Sequence, residues 1–277
     1  MWATLTLMSA LSMAPGQAGG LELTNDRVTY GRLGPTRKDS KFLPGDLYFL
    51  TFEAEGLQFD AGGNAKYSMQ MEVFDKDNKP QLKTRVEPRE LGSIQGGGRV
   101  TLDAYANIKT DTPAGTYSMK VTVTDRLAKP ERTRELTRKF EVAEKGFGIV
   151  YVNLAYNLGD KEPLIPSPGL GCVGQVQVLH FGITGFDRDP KNKKQPALKV
   201  EMRMLDDAGK PMLAKPAQEG LPKADDPVPE EFSVIPCFFP VALTKTGKYT
   251  VELTATDLIS KKTATVNYPL VVVDPPK

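Results

Sequence analysis

The sequence predicts an all-β protein made of two antiparallel β-sandwich domains in tandem, and three observations predict it. Three blocks recur in the same order in the two halves of the 277-residue chain. Each block alternates apolar and polar residues with the period of two that a half-buried strand requires. No stretch of a dozen residues sustains helical periodicity, and the 25 glycines and 22 prolines punctuate the chain instead of clustering.

Length and charge set the outer bounds. The chain suits two domains of ordinary size, each able to close a core without staples. A formal net charge of +2 argues against nucleic acid or an anionic membrane as the main partner. Trp2 to Met13 form an apolar run, followed by the small residues Ala14-Pro15-Gly16-Gln17-Ala18. The run is shorter than the ~20 apolar residues a membrane span needs. Residues 1–18 are therefore expected to be a cleaved signal peptide and the protein to be secreted, periplasmic or envelope-associated, although no Lys or Arg precedes the run. The alternative is a hydrophobic tail on a cytoplasmic protein. No other segment is apolar enough to span a membrane.

Domain 1 is expected over 19–143. Its first block, Gly45-Asp46-Leu47-Tyr48-Phe49-Leu50-Thr51-Phe52, returns as Gly174-Gln175-Val176-Gln177-Val178-Leu179-His180-Phe181. The second runs from Met69 to Asp75 and returns from Val200 to Asp206, each followed by a Lys-Pro pair. The third is the clearest: Gly115-Thr116-Tyr117 through Thr124-Asp125 returns as Gly247-Lys248-Tyr249 through Thr256-Asp257. Asp75-Lys76-Asp77-Asn78 and Asp206-Asp207-Ala208-Gly209 supply hairpin turns. Short strands with such punctuation read as immunoglobulin or fibronectin III-like sandwiches. Tyr117 and Tyr249, each opening a late strand after a tight loop, read as structural tyrosine corners whose hydroxyls bond back to loop backbone. A linker near Glu144-Lys145-Gly146 leads to domain 2 over 147–277, and its shortness predicts a semi-rigid rod.

The blocks Gly-Asp-x-Tyr, Phe-Asp-Lys-Asp-x-Lys-Pro and Pro-Ala-Gly-Thr-Tyr-Ser-Met-Lys-Val-Thr-Val-Thr-Asp resemble uncharacterised tandem Ig-like proteins of planctomycete-type bacteria. The resemblance covers most of the region after residue 18. It implies the fold and export, and brings no activity and no site residues with it.

The chemistry points away from an enzyme. His180, the one histidine, falls out of phase with Leu179, Phe181 and Ile183 and is expected on an outer strand face. No Gly-x-Ser-x-Gly elbow or phosphate-cradling loop is present; Gly96-Gly97-Gly98 lacks the required spacing. The acidic pairs Asp75/Asp77 and Asp187/Asp189 lack the rest of a calcium shell and read as Asx turns, and Asp225-Asp226 with Glu230-Glu231 as solvated charge. No catalytic residue, metal or cofactor is expected. Aligning Cys237 with Tyr105 and Cys172 with Phe42-Leu43 predicts a Cys172–Cys237 disulfide, worth about 3–4 kcal/mol if it forms, against the alternative of two free thiols.

The partner is expected to be a protein or an envelope polymer. Ig-like topology places the loops Asp60–Lys66 and Arg126–Arg138 at a free tip, so Phe59, Asp60, Asn64, Arg126, Lys129, Arg132 and Arg134 form the candidate binding tip. The plainer reading of that tip is a solvated charged hairpin. Lys191, Lys193, Lys194, Lys261 and Lys262 are expected to face the interdomain junction and meet Asp75, Asp77 and Asp111. The functional expectation is a non-enzymatic exported module with a binding, scaffold or envelope role. The alternatives are a carbohydrate- or peptidoglycan-binding protein, and an enzyme inhibitor.

Overall fold

A computed structural model describes residues 20–94, 98–156, 164–222 and 227–275. The expected signal peptide, Gly96 and Gly97, and Asp225-Asp226 lie outside the described residues. The described chain is all-β. Its first half contains β1 (Glu22–Thr29), β2 (Lys41–Phe42), β3 (Leu47–Glu55), β4 (Asn64–Phe74), β5 (Pro80–Lys83), β6 (Glu87–Gly92), β7 (Arg99–Asn107), β8 (Gly115–Asp125) and β9 (Arg132–Val142). The second contains β10 (Gly148–Tyr156), β11 (Ile165–Pro166), β12 (Leu170–Cys172), β13 (Val176–Thr184), β14 (Leu198–Leu205), β15 (Ala217–Leu221), β16 (Val234–Ala242), β17 (Gly247–Asp257) and β18 (Thr263–Val273).

The first half has one sheet ordered β1-β3-β7 and another ordered β2-β9-β8-β4-β5, with β6 also on β4. The second half repeats the scheme as β11-β10-β13-β16 and β12-β18-β17-β14-β15. In both, the first long strand joins the smaller sheet. The chain then crosses to lay β2 or β12 parallel to the last strand of the larger one. Period-two alternation produces this: along β8, Tyr117, Met119, Val121 and Val123 point inward, while Lys120, Thr122 and Thr124 do not.

The buried apolar residues form two clusters, one drawn from 21–142 and one from 149–272. At the base of the first, Tyr48 stacks on Phe140 at 4.2 Å between centroids and meets Phe42 edge-on at 5.2 Å. Tyr117 lies against Phe140 and donates its hydroxyl to Pro113 O at 2.9 Å. Tyr249 donates to Lys245 O and Thr246 O at 3.1 and 3.0 Å. The corresponding base of the second half holds Gly171, Gln177 and Leu270. Buried Gln177 donates to Leu170 O at 3.1 Å, and Gln175 accepts from Cys172 N–H at 2.8 Å. The aromatic cluster is therefore replaced by amide hydrogen bonds.

The predicted disulfide is absent: Cys172 and Cys237 are free. Cys237 pairs with Phe181 in the smaller sheet, as Leu102 pairs with Phe52 in the first half, so its counterpart is Leu102 and not Tyr105. Cys172 pairs with Val273 in the other sheet. Its neighbour Gly171 abuts Leu243, which lies six residues from Cys237, or about 20 Å along an extended chain. A disulfide tolerates a Cα separation of roughly 4.4–6.8 Å. Burial pushes the Cys237 thiol up to about 12, so it remains protonated.

Candidate functional site

The residues of the expected tip are spread over the loop after β3, the loop after β8 and the first residues of β4 and β9. Phe59 bridges to Ala65 and packs on the core. Asp60 closes its own turn, accepting N–H bonds from Gly62 and Asn64 at 2.9 Å, with Asn64 opening β4. The Asn64 N–H bond, set against a smaller desolvation, holds the exposed Asp60 carboxyl below the usual carboxylate range. Arg126 is engaged by Ser68 Oγ at 3.1 Å and Glu131 at 2.7 Å. Lys129 is exposed beside Pro130 in the same loop. Arg132 opens β9 opposite Asp125. Arg134 lies two residues further along β9, on the side of Leu136 and Phe140, with its guanidinium near Gly20. These cations are divided between a loop ion pair and the side of the sandwich.

The tip loops are fixed by a residue type that the repeat displays but whose role the sequence reading missed. Each third block ends in Thr-Asp, and both aspartates are fully buried. Asp125 accepts from Gln58, Leu127 and Ala128 N–H at 2.9, 3.0 and 3.2 Å, tying the loop after β3 to the loop after β8. Asp257 does the same, accepting from Asp187 and Ile259 N–H at 2.9 and 2.8 Å and from Ser260 Oγ at 2.7 Å. Burial alone would raise the Asp257 carboxyl. The bonds from Asp187 and Ser260 outweigh it and hold the carboxyl below its ordinary value.

The junction carries the densest polar construction. Asp46, 2% exposed, accepts from Leu47 N–H at 2.8 Å, from Tyr151 N–H of the second half at 2.7 Å, and from Arg37 at 2.7 Å. Arg37 also meets Asp39 at 2.8 Å and lies over the Phe42 ring at 4.1 Å. Burial outweighs Arg37 and the two N–H groups and leaves the Asp46 carboxyl above its ordinary value. Tyr151 takes φ +42°, a conformation rare for an aromatic residue, in a bulge whose counterpart in β1 is Asn25 at φ +51°. Its ring fills the space that a Cβ on Gly182 would need. Tyr30 reaches from the first half onto Tyr268, with centroids 5.5 Å apart. Thr184 Oγ donates to Pro44 O at 3.3 Å.

These contacts replace the expected lysine–aspartate pairs. Lys194 is bound to Glu230 at 2.9 Å and Lys76 to Asp77 at 3.0 Å. Asp75 accepts from Asp77 and Lys79 N–H and from Gln81 within its own hairpin. Asp111 lines a polar crevice of about 350 Å³ at the junction beside Lys145 and Arg188. Arg188 donates to Lys194 O, Val228 O, Pro229 O and Phe232 O, gathering the adjoining loops.

His180 lies on the outer sheet face between Tyr151 and Phe238, stacked on Phe238 at 4.5 Å with the planes 3° apart. Burial lowers its pKa below the ordinary histidine value. Among the described residues, no three His, Cys, Asp or Glu side chains converge as a metal site would require, and no helix is long and apolar enough to cross a membrane.

No family model matches the chain, and no curated protein matches it. Among solved structures, it is similar to a DUF4785 family protein from Legionella pneumophila at 12% identity and a TM-score of 0.29. That match covers 85% of this chain and 56% of the other. The likeness is too loose to carry a functional argument. It provides no evidence for the planctomycete resemblance.

Proposed function

We propose that the chain is a non-enzymatic exported protein of two tandem immunoglobulin-like domains, resembling planctomycete-type tandem Ig-like proteins, with a binding or scaffold role at the cell envelope. The strand order of the two halves supports the immunoglobulin-like reading. The Asp46 clamp is the observation that carries the scaffold role. A buried carboxylate accepting hydrogen bonds from both halves fixes their angle, as a spacer or presenting module requires. Fractionating cells that express the full chain tests export: a mature N-terminus near Gly19 in the extracytoplasmic fraction is expected. A chain retained uncleaved in the cytoplasm would refute it.

Carbohydrate or peptidoglycan binding is a second reading. It is favoured by half-exposed aromatics on the outer sheet faces, Tyr105 stacked on Phe49 at 5.3 Å and Phe238 on His180. Cosedimentation with peptidoglycan that is unaffected by Tyr105→Ala and Phe238→Ala would remove it.

A further inference from the structure

The two smaller sheets end in equivalent edge strands, β7 and β16, that treat their free edge in opposite ways. Ile108 N–H donates to Asp46 O and Gly98 O accepts from Gly56 N–H, so the even-numbered residues of β7 bond toward β3. The backbone groups of Thr101, Asp103, Tyr105 and Asn107 consequently point outward. In the second half, Leu243 N–H donates to Gln175 O and Leu243 O accepts from Gly174 N–H. There the even-numbered residues of β16 point outward, and two of them are Pro236 and Pro240. The pairings Phe52–Leu102 and Phe181–Cys237 put these prolines at the positions of Thr101 and Tyr105. Proline has no N–H to offer an added strand and is a common guard of sheet edges. The second half guards its edge; the first leaves it open.

Beside the open edge the sandwich gapes. Two adjoining cavities of about 350 and 400 Å³ run along β7, and both are lined by Leu82, Ala106, Asn107 and Lys109. Met69, Met71 and Val73 of β4 form the floor. Leu82, 40% exposed, forms the far wall, and Tyr105, 53% exposed, the near rim. The cations and anions along the groove are mostly paired: Arg89 with Glu87, Asp103 with Arg32. Lys109, where the two cavities meet, has no ion pair among the described residues, and Asp111 lines the end nearer the junction.

We propose that the first half binds an extended peptide of a partner protein as an added strand along β7. Its backbone pairs with Thr101, Asp103, Tyr105 and Asn107. Alternate apolar side chains enter the groove, and an acidic residue meets Lys109. The free backbone edge selects an extended strand, the apolar floor its alternation, and the unpaired lysine its charge.

The test uses the chain from Gly20 onward and a fluorescein-labelled, end-blocked heptapeptide, Glu-Val-Thr-Val-Thr-Val-Glu. The expected result is saturable fluorescence anisotropy, with amide exchange slowed at the outward residues of β7 and unchanged in β16. Thr101→Pro with Tyr105→Pro, which installs the guard of the second half, should weaken binding at least tenfold. Lys109→Glu, an exposed change that leaves the fold alone, should weaken it severalfold. Pro236→Thr with Pro240→Tyr should open a second, weaker site on β16. Equal binding by the proline and glutamate variants would overturn the proposal, as would protection confined to β16. Sedimentation showing a dimer that the prolines abolish, without peptide binding, would assign the edge to a second copy instead.

Discussion

Replacing Asp46 by alanine removes three acceptor interactions at once. Tyr151 and Leu47 N–H lose their partner in a buried site, and Arg37, with a side chain 12% exposed, keeps Asp39 as its one carboxylate. Leaving one partner of a buried ion pair typically costs about 3–5 kcal/mol. Here Asp39, Lys41 O and the Phe42 ring still attend Arg37, so the lower end, about 3 kcal/mol, is expected. Tyr151 also loses the bond that supports its positive φ, a conformation of the class that costs about 1–3 kcal/mol when unsupported. The assay is urea denaturation followed by circular dichroism. The variant should lose stability by about this amount and move independently at the junction, whereas Asp46→Asn, which keeps an acceptor for Tyr151 N–H, should lose less. Unfolding within about 0.5 kcal/mol of the unaltered protein would refute the clamp.

Three more predictions follow from the same geometry. Asp257→Ala should destabilise by about 2–4 kcal/mol by stranding the N–H groups of Asp187, Ile259 and Ser260. With the folded pKa of Asp257 lowered, its stabilisation is present above the unfolded value near 4 and is lost as pH falls below it; melting curves of both proteins from pH 6 to 2.5 should converge at the acid end. His180 has a lowered pKa, so it favours the folded state above the unfolded value of about 6.5, and that contribution falls away as pH drops below it. The fall in melting temperature between pH 8 and 5 should be smaller in His180→Gln, and an identical fall would contradict the assignment. Without reductant, Ellman's reagent should titrate both thiols in denaturant but Cys237 only slowly in the native protein, given its burial and a pKa near 12. Failure to titrate either thiol in denaturant would restore the disulfide.

The strands were legible in the sequence because burial on one face imposes a period of two, visible in Tyr117-x-Met119-x-Val121-x-Val123. The hairpin aspartates were legible for a similar local reason, since an Asx turn is closed within a few residues. The cysteines were misread because β7 and β16 share no motif. The connection from β7 to β8 is three residues longer than that from β16 to β17, so spacing from the third block places Cys237 at the outward Tyr105 and not at the inward Leu102. The junction was misread because lysines and aspartates in the expected loops find nearer partners, such as Lys194 with Glu230. The clamp bond that does join the halves runs from the backbone of Tyr151 to Asp46, 105 residues away, and a backbone donor leaves no charge pattern in the sequence. Asp125 and Asp257 stood in plain view at the ends of matched blocks, but their burial is set by loops that only the fold brings together. The guarded edge was legible in principle: Pro236 and Pro240 are spaced by four, which puts both backbone nitrogens on one side of a strand.

The rigidity of the junction is tested most directly by a distance between spin labels at Lys139→Cys and Asn267→Cys, in a chain also carrying Cys172→Ser. Both label sites are exposed and lie on opposite sides of the Asp46 clamp. The account predicts one narrow distance distribution that broadens when Asp46→Ala is added. A broad distribution in the chain that retains Asp46 would contradict it.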